Sequence, residues 1–369
     1  MIKSIEIQNF KSIQHQRVEL GNLNILIGQN GAGKSNFISL FKFLERLGEG
    51  QLASYIFKSG GIGDFFFRGL ENSDQMDLQV QIYSPETETY FLYCFSIISD
   101  GESYRIDVEK LGSRYQEYAS NPYSINNQKL ETILGSPQYY GKYKEAKFVK
   151  DFLSKLKFYH FNDTSENASN RLPQNIDEIN SFKPEAENLA PFLLFLREND
   201  FETYYKIVET TKLVFPFFHD FALVESPKAK GKVLLHWKEK GSDYIFNAKQ
   251  ISDGTLRFIS LATILAQPPD SQYVPEIIVF DEPELGLHPF AINVLAELLK
   301  KAALERQVVV ATQSVGLINN FTPKDLLIVE RTPEGATEFK RKKDEDLQIW
   351  LDDYTLGQLW ENNFLGGRP

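Results

Sequence analysis

Three features of this 369-residue sequence predict an α/β fold. A strand-like apolar run, Leu23 to Ile27, passes through the glycine-rich turn Gly28-Gln29-Asn30-Gly31-Ala32-Gly33-Lys34-Ser35 straight into a helix-like run. A second apolar run, Ile277 to Phe280, ends in two adjacent acids, Asp281 and Glu282, and a third, Val308 to Ala311, follows after a helix-length interval. Continuous apolar strands belong in a sheet covered on both faces, and helices must supply the cover.

The elements follow in order. Ile2 to Gln8 and Val18 to Leu20 read as strands before the glycine turn, and Ile2, Ile5 and Ile7 alternate with polar neighbours. From Ser35, the residues Phe37, Ile38, Leu40, Phe41, Phe43, Leu44 and Leu47 make a helix apolar on more than one face, ended by Gly48 and Gly50. Leu78 to Ser84, Tyr90 to Ser99 and Tyr104 to Val108, separated by turn residues, predict an antiparallel meander over 77–108. Gln116 to Gly141 reads as loop or short helix, Lys142 to Lys157 as a basic helix and Phe158 to Phe161 as a strand. Thr164 to Pro184 is turn-rich, and Glu185 to Phe218 has helical periodicity interrupted at Pro191 and Pro216, without the sustained heptads of a long coiled coil. Val233 to Trp237 and Tyr244 to Asn247 read as strands around Lys240-Gly241-Ser242.

Composition narrows the function. With 42% hydrophobic residues the chain can fill a real core, and a net charge of −10 argues against indiscriminate binding of nucleic acid. The single cysteine, Cys94, excludes an intrachain disulfide framework and a multi-cysteine zinc cluster, and is expected as a small buried hydrophobe in a reducing compartment. His15, His219, His236 and His288 lack zinc-ligand spacing. With neither a signal peptide nor a run long enough to span a bilayer, the chain is expected in the cytoplasm, off the membrane.

The glycine turn matches the P-loop pattern GxxxxGK[ST] in its confirming context of strand before and helix after. Asn30, Gly31, Ala32, Gly33, Lys34, Ser35 and Asn36 are the expected contacts to ATP: backbone N–H groups wrap the phosphates, Lys34 reaches the β and γ phosphates, and the Ser35 hydroxyl ligates Mg2+. Ile277 to Pro283 reads as a Walker B strand, where Asp281 holds magnesium and Glu282 is placed to polarise the attacking water as general base.

Asp281 stands so far beyond Lys34 that much structure must be inserted between the halves of one site. Ser252-Asp253-Gly254-Thr255-Leu256-Arg257, before the helix-like run Phe258 to Ala266, resembles the signature motif of ABC ATPases in the variant form of RecF-like and SMC-like heads. The opening Asn9-Phe10-Lys11-Ser12 resembles the first strand of those heads, and Glu284 to Pro289 resembles their D-loop. The ending, Leu356 to Trp360 through Gly366-Gly367-Arg368-Pro369, looks like that of compact bacterial RecF-like ATPases found beside antiphage or DNA-metabolism genes. The resemblance implies that Ser252, Asp253 and Gly254 cap the γ-phosphate of ATP held by a second copy, giving a homodimer closed across nucleotide. Where the family carries a switch histidine this chain has Gln313, which can hydrogen-bond a phosphate or water but cannot take up charge, so slow hydrolysis is expected. No Q-loop glutamine is evident; Asn162 or His160 can serve that position.

The expected organisation is an ATPase lobe at 1–163 with P-loop and meander, a helical insertion at 164–218 and a second ATPase lobe at 219–369 with signature, Walker B, D-loop and switch. The resemblance implies an ATPase of antiphage defence or DNA metabolism, with a RecF-like clamp at DNA ends or gaps and a transporter subunit as alternatives. Asp344 to Asp346 and Asp352-Asp353 lack a surrounding βαβ repeat and read as a solvated acidic turn, so nuclease or toxin activity is expected from a separate effector. Basic clusters at Lys142 to Lys157, Lys228 to Lys240 and Lys340 to Lys343 leave room for a dimer cleft holding double-stranded DNA by its backbone.

Overall fold

A computed structural model describes residues 1–101, 103–115, 123–126, 129–161, 163, 165, 167–226, 229–342 and 344–367. Asn162, Thr164, Lys228, Lys343, Arg368, Pro369 and part of the Gln116 to Gly141 tract, each named in the sequence reading, lie outside them. The chain opens with β1 (Ile2–Phe10), β2 (Ile13–Glu19) and β3 (Leu23–Ile27), then α1 (Lys34–Glu49) and α2 (Leu52–Lys58). The meander expected from Asp77 comprises β4 (Gln75–Ser84), β5 (Thr89–Ser99), β6 (Tyr104–Tyr115) and β7 (Tyr123–Asn126). It is larger than expected, because β1 and β2 join its edge in the order β2-β1-β4-β5-β6-β7 and β7 forms inside the tract read as loop. The polar, aperiodic residues of β7 become a strand by pairing with β6.

Next come α3 (Pro137–Tyr140), α4 (Lys144–Ser154), β8 (Leu156–Tyr159), the two-residue β9 (Gln174–Asn175), α5 (Leu189–Asn199) and α6 (Phe201–Val214). Pro191 does not break α5, because it lies in the first turn, where its missing N–H has no helical partner to lose. The break falls at Asp200, whose side chain caps α6 by accepting from Thr203 N at 3.1 Å. Two small sheets follow, from β10 (Phe218–Phe221), β11 (Glu225–Ser226), β12 (Ala229–Val233), β13 (His236–Glu239) and β14 (Ile245–Asn247). The run Val233 to Trp237 is therefore not one strand: Val233 pairs with β9 and β11, whereas Trp237 pairs with β10 and β14.

The last elements are α7 (Asp253–Leu265), β15 (Ile277–Asp281), α8 (Pro289–Ala303), β16 (Gln307–Ala311), α9 (Val315–Ile318), β17 (Leu326–Arg331), β18 (Thr337–Lys340), α10 (Asp344–Leu351) and α11 (Leu356–Glu361). The acidic stretch read as a turn thus begins α10. Among the described residues the longest helix is α1, with 16 residues, and none is long and apolar enough to cross a membrane.

The second large sheet runs β18-β17-β3-β16-β15-β8, parallel except for the hairpin partner β18. Alternate residues of its strands enter opposite cores, as the two-residue period of a strand requires. Leu26, Ile277, Val279, Val309 and Ala311 pack with α1, α4 and the antiparallel sheet. Ile25, Ile27, Ile278, Phe280, Val308 and Val310 pack with α5, α6, α7 and α8. Phe192, Leu193, Leu194 and Leu196 of α5 are spent in this second core, so that apolar run is not free to hold two copies together.

Candidate functional site

The carboxyl ends of β3, β16 and β15 lie side by side. Asp281 of β15 stands in register with Ala311 of β16, and Ala311 with Leu26 of β3. One strand therefore separates the glycine loop from the acid pair, and the segments leaving all three strands enter the same space, the usual ligand edge of a parallel sheet.

The loop residues are there for backbone reasons. Gly33 has φ 119°, and a Cβ on it would fall 2.1 Å from the Thr337 hydroxyl; a Cβ on Gly28 would fall 2.2 Å from the carbonyl oxygen of Val329. Asn30, Gly31 and Ser35 are exposed at the mouth, while Ala32 is buried behind it. Lys34 opens α1, and its buried ammonium donates to the carbonyls of Gly28 (2.6 Å) and Gln29 (3.2 Å). Burial pulls its pKa down, against the charges of Glu282, Asp281 and Glu284, which hold it up.

Burial and then the neighbouring Glu282 push the Asp281 carboxyl above the usual carboxylate range, opposed by Ser35, Lys34 and the charge of His160. Glu282 has φ 47°, the left-handed region that a residue with a Cβ enters at a cost of about 1–3 kcal/mol. Its N–H still donates to Ala311 O at 2.8 Å, and its Oε1 accepts from Gln313 Nε2 at 2.5 Å. The sequence-predicted Lys34, Ser35, Asp281, Glu282 and Gln313 are thus gathered at one place.

Asn36 points the other way. Its amide donates to Ser12 Oγ (2.7 Å), Ser12 meets Thr337 Oγ1 (2.8 Å), and the Thr337 hydroxyl donates to Ala32 O (2.8 Å). Ser252 caps α7 by accepting from Thr255 N (3.2 Å). Asp253 is paired with the buried Arg171 at 2.7 Å. Gly254 lies so close to the D-loop that a Cβ on it would come within 2.3 Å of Gly286 O. Among the described residues no hydrogen bond or ion pair joins these three to the glycine loop.

Donors and charges of this kind suit an anionic phosphate chain with a divalent cation. A strongly hydrated ion such as Mg2+ needs only one or two protein oxygens beside phosphate, and Ser35 and Asp281, close enough for Ser35 to steady the Asp281 carboxylate, can provide them. Among the described residues no cluster of three or more His, Cys, Asp or Glu stands ready for a metal.

A family model described as "AAA domain, putative AbiEii toxin, Type IV TA system" matches residues 23–319, most of the chain. The chain belongs to this AAA family. The AAA chain is also similar to the DNA double-strand break repair Rad50 ATPase of Saccharolobus solfataricus, 23% identical over 203 residues, covering 54% of this chain and 24% of that protein. It spans about a quarter of that relative's length. Its fold is shared with an SMC head bound to the C-winged helix domain of ScpA: TM-score 0.61, 15% identity, covering 94% of this chain and 99% of that one. A Pyrococcus furiosus complex, an Smc head with extended coiled coil bound to the C-terminal domain of ScpA, gives TM-score 0.60 at 14% identity, over 95% and 98% of the two chains. The SMC head domain of Thermotoga maritima gives 0.51 at 13% identity, over 93% and 99%. The expected SMC-type ATPase head is therefore the fold of this AAA chain.

Other residues of the AAA site were not evident in the sequence. Arg331 Nε donates to Gly31 O at 2.9 Å, and Thr337 fastens Ala32; both sit on the β17–β18 hairpin, far along the chain, where no motif marks them. A groove of about 530 Å³ opens beside the loop, lined by Lys11, Asn36, Asp64, Arg68 and Arg331 among others. Glu284 was visible only as the first residue of the D-loop-like segment, and Thr312 only as the residue after the apolar run Val308 to Ala311.

Proposed function

We propose that this protein is an ATPase that binds ATP with magnesium, closes as a homodimer across the nucleotide and gates an effector supplied by a partner. One observation carries the reading: Lys34, Ser35, Asp281, Glu282 and Gln313 converge at the carboxyl edge of the parallel sheet. The loop amides and Lys34 take the β and γ phosphates, and the groove at Lys11, Asn36 and Arg68 has room for the rest of the nucleotide. Magnesium, held by Ser35 and Asp281, neutralises charge on the phosphate oxygens when bound. Glu282 accepts the proton of the attacking water as its oxygen bonds the γ-phosphorus and the bond to the bridging oxygen breaks, releasing ADP and phosphate. Gln313 keeps the Glu282 carboxylate oriented.

In this reading residues 1–163 and 219–369 are two lobes of one ATPase and 164–218 a helical insertion. Similarity to a Rad50 ATPase named for DNA double-strand break repair supports an output connected with DNA. The family's description, which names a type IV toxin–antitoxin system, supports cell defence with a partner in the cytoplasm. The exposed Lys144 and Lys147 of α4 offer local charge for a duplex backbone in a chain otherwise acidic.

Nucleotide binding and phosphate release test the proposal together. Lys34→Ala should lose ATP binding. Glu282→Gln should bind ATP as the parent does and lose turnover by on the order of 10²- to 10⁴-fold. Hydrolysis by Glu282→Gln at the parent rate would overturn the assignment of the base.

A further inference from the structure

A carboxylate with no part in the reaction above lies beneath the site. Glu284 is 8% exposed. Its Oε1 accepts from the Thr312 hydroxyl. Its Oε2 is buried and has no hydrogen-bond partner among the described residues. An unfilled acceptor on a buried acid is costly, so its surroundings should compensate.

They do so with charge. Lys34 and Arg257 are both buried, and both feel the charge of Glu284. Arg257 belongs to α7, the helix capped by Ser252. Its Nε donates to Phe161 O at 2.9 Å, beside His160, and its Nη1 lies 3.3 Å from where a Cβ on Gly286 would stand. One guanidinium therefore touches the segment leaving β8, the D-loop and the field of Glu284. On its other side Glu284 accepts from Thr312, and the next residue along the chain, Gln313, sets its amide on Glu282.

We propose that Glu284 is a positioning residue that links α7 to the base: it anchors Thr312, and through it the adjoining Gln313, on one side, answers the charge of Arg257 on the other, and so sets the Gln313 amide on Glu282. Movement of the Ser252–Gly254 end of α7 carries Arg257 with it, and Glu284 passes the change to Gln313. The inference rests on the ATPase reading, and its test has one arm that needs no hydrolysis.

Steady-state phosphate release by the full chain gives the first arm. Glu284→Gln and Thr312→Val should each lower kcat on the order of ten- to a hundredfold with KM for ATP nearly unchanged. Thr312→Ser, which keeps the hydroxyl, should recover most of what Thr312→Val loses. In a Gln313→Ala background Glu284→Gln should add no further loss, because the residue it acts through is gone. A parent-like kcat in Glu284→Gln, or a full multiplicative loss on top of Gln313→Ala, would overturn the proposal. If Glu284→Gln does not fold, the Thr312 pair decides by the same criteria. The second arm follows the Gln313 side-chain amide by NMR without nucleotide, assigned by its disappearance in Gln313→Ala. It should shift in both Glu284→Gln and Arg257→Lys, and an unmoved signal would sink the inference. A chain whose parent releases no phosphate fails the ATPase reading, and the NMR arm still decides the role of Glu284.

Discussion

Cys94 lies on β5 with its thiol 3.6 Å from Gln79 Oε1, and burial pushes its pKa up to about 11. A raised thiol pKa leaves less thiolate at any pH below it, and only the thiolate is nucleophilic. At pH 8 iodoacetamide should therefore alkylate native Cys94 about a hundredfold more slowly than the same chain in urea, with the native rate rising about tenfold per pH unit until it levels near 11. Equal rates in the two states would show the thiol to be unprotected. By the same sign the folded state loses stability as pH rises from about 9 towards 11, because the unfolded chain gives up that proton first. Cys94 is thus half-buried, and not the small buried hydrophobe expected of it, while the strained residue Glu282 shows the opposite use of a position, holding a costly backbone angle that aims a carboxylate.

Between elements, one cation adds to the apolar packing that joins α1 to β8. Lys157 Nζ donates to Glu45 at 2.6 Å and to Glu49 at 3.0 Å, both on α1, and Glu45 is buried. Lys157→Met should cost about 3 kcal/mol, because it leaves the Glu45 carboxylate buried and unpaired. Adding Glu45→Met should return most of that, an outcome urea denaturation can read; a single mutant as stable as the parent would mean that Glu45 finds water or another partner. Elements whose cause is local were legible in the sequence: α1 from its glycine start and apolar period, β15 and β16 from unbroken apolar runs. β7, β9 and the division of Val233 to Trp237 were not, since pairing with distant strands and not residue type makes them strands. The same division runs through the site. The glycine loop, Asp281, Glu282 and Gln313 stand at ends of recognisable strands, whereas Arg331 and Thr337 reach the loop only because the hairpin β17–β18 lies beside β3.

For the whole molecule, what matters is that the site is open on one side. Ser252 and Gly254 stand at the N-terminus of α7, a natural seat for an anion, yet among the described residues no hydrogen bond or ion pair ties them to the glycine loop of their own chain. Beside them Leu285 and Phe290 expose 51% and 52% of their surface, apolar area that an isolated head leaves in water. If the γ-phosphate held by Lys34 of one copy seats on the α7 cap of a second, the reverse contact follows, and the pair is a C2 dimer with two nucleotides. Affinity for the closed form then depends on the γ-phosphate, so ATP should close the pair and ADP should not. Taking a population from about 1:99 to 99:1 needs a differential affinity on the order of 10⁴-fold, which a doubly charged group meeting two helix ends can supply. Sedimentation of Glu282→Gln protein, which keeps its ATP, should give mostly dimer with ATP and mostly monomer with ADP. Ser252→Arg and Leu285→Asp should each abolish the ATP-dependent dimer without lowering ATP binding to the single chain. Equal dimer fractions in the two nucleotides would instead mean a constitutive pair, whose contact would have to avoid Phe192, Leu193, Leu194 and Leu196, since those side chains are already buried in their own core.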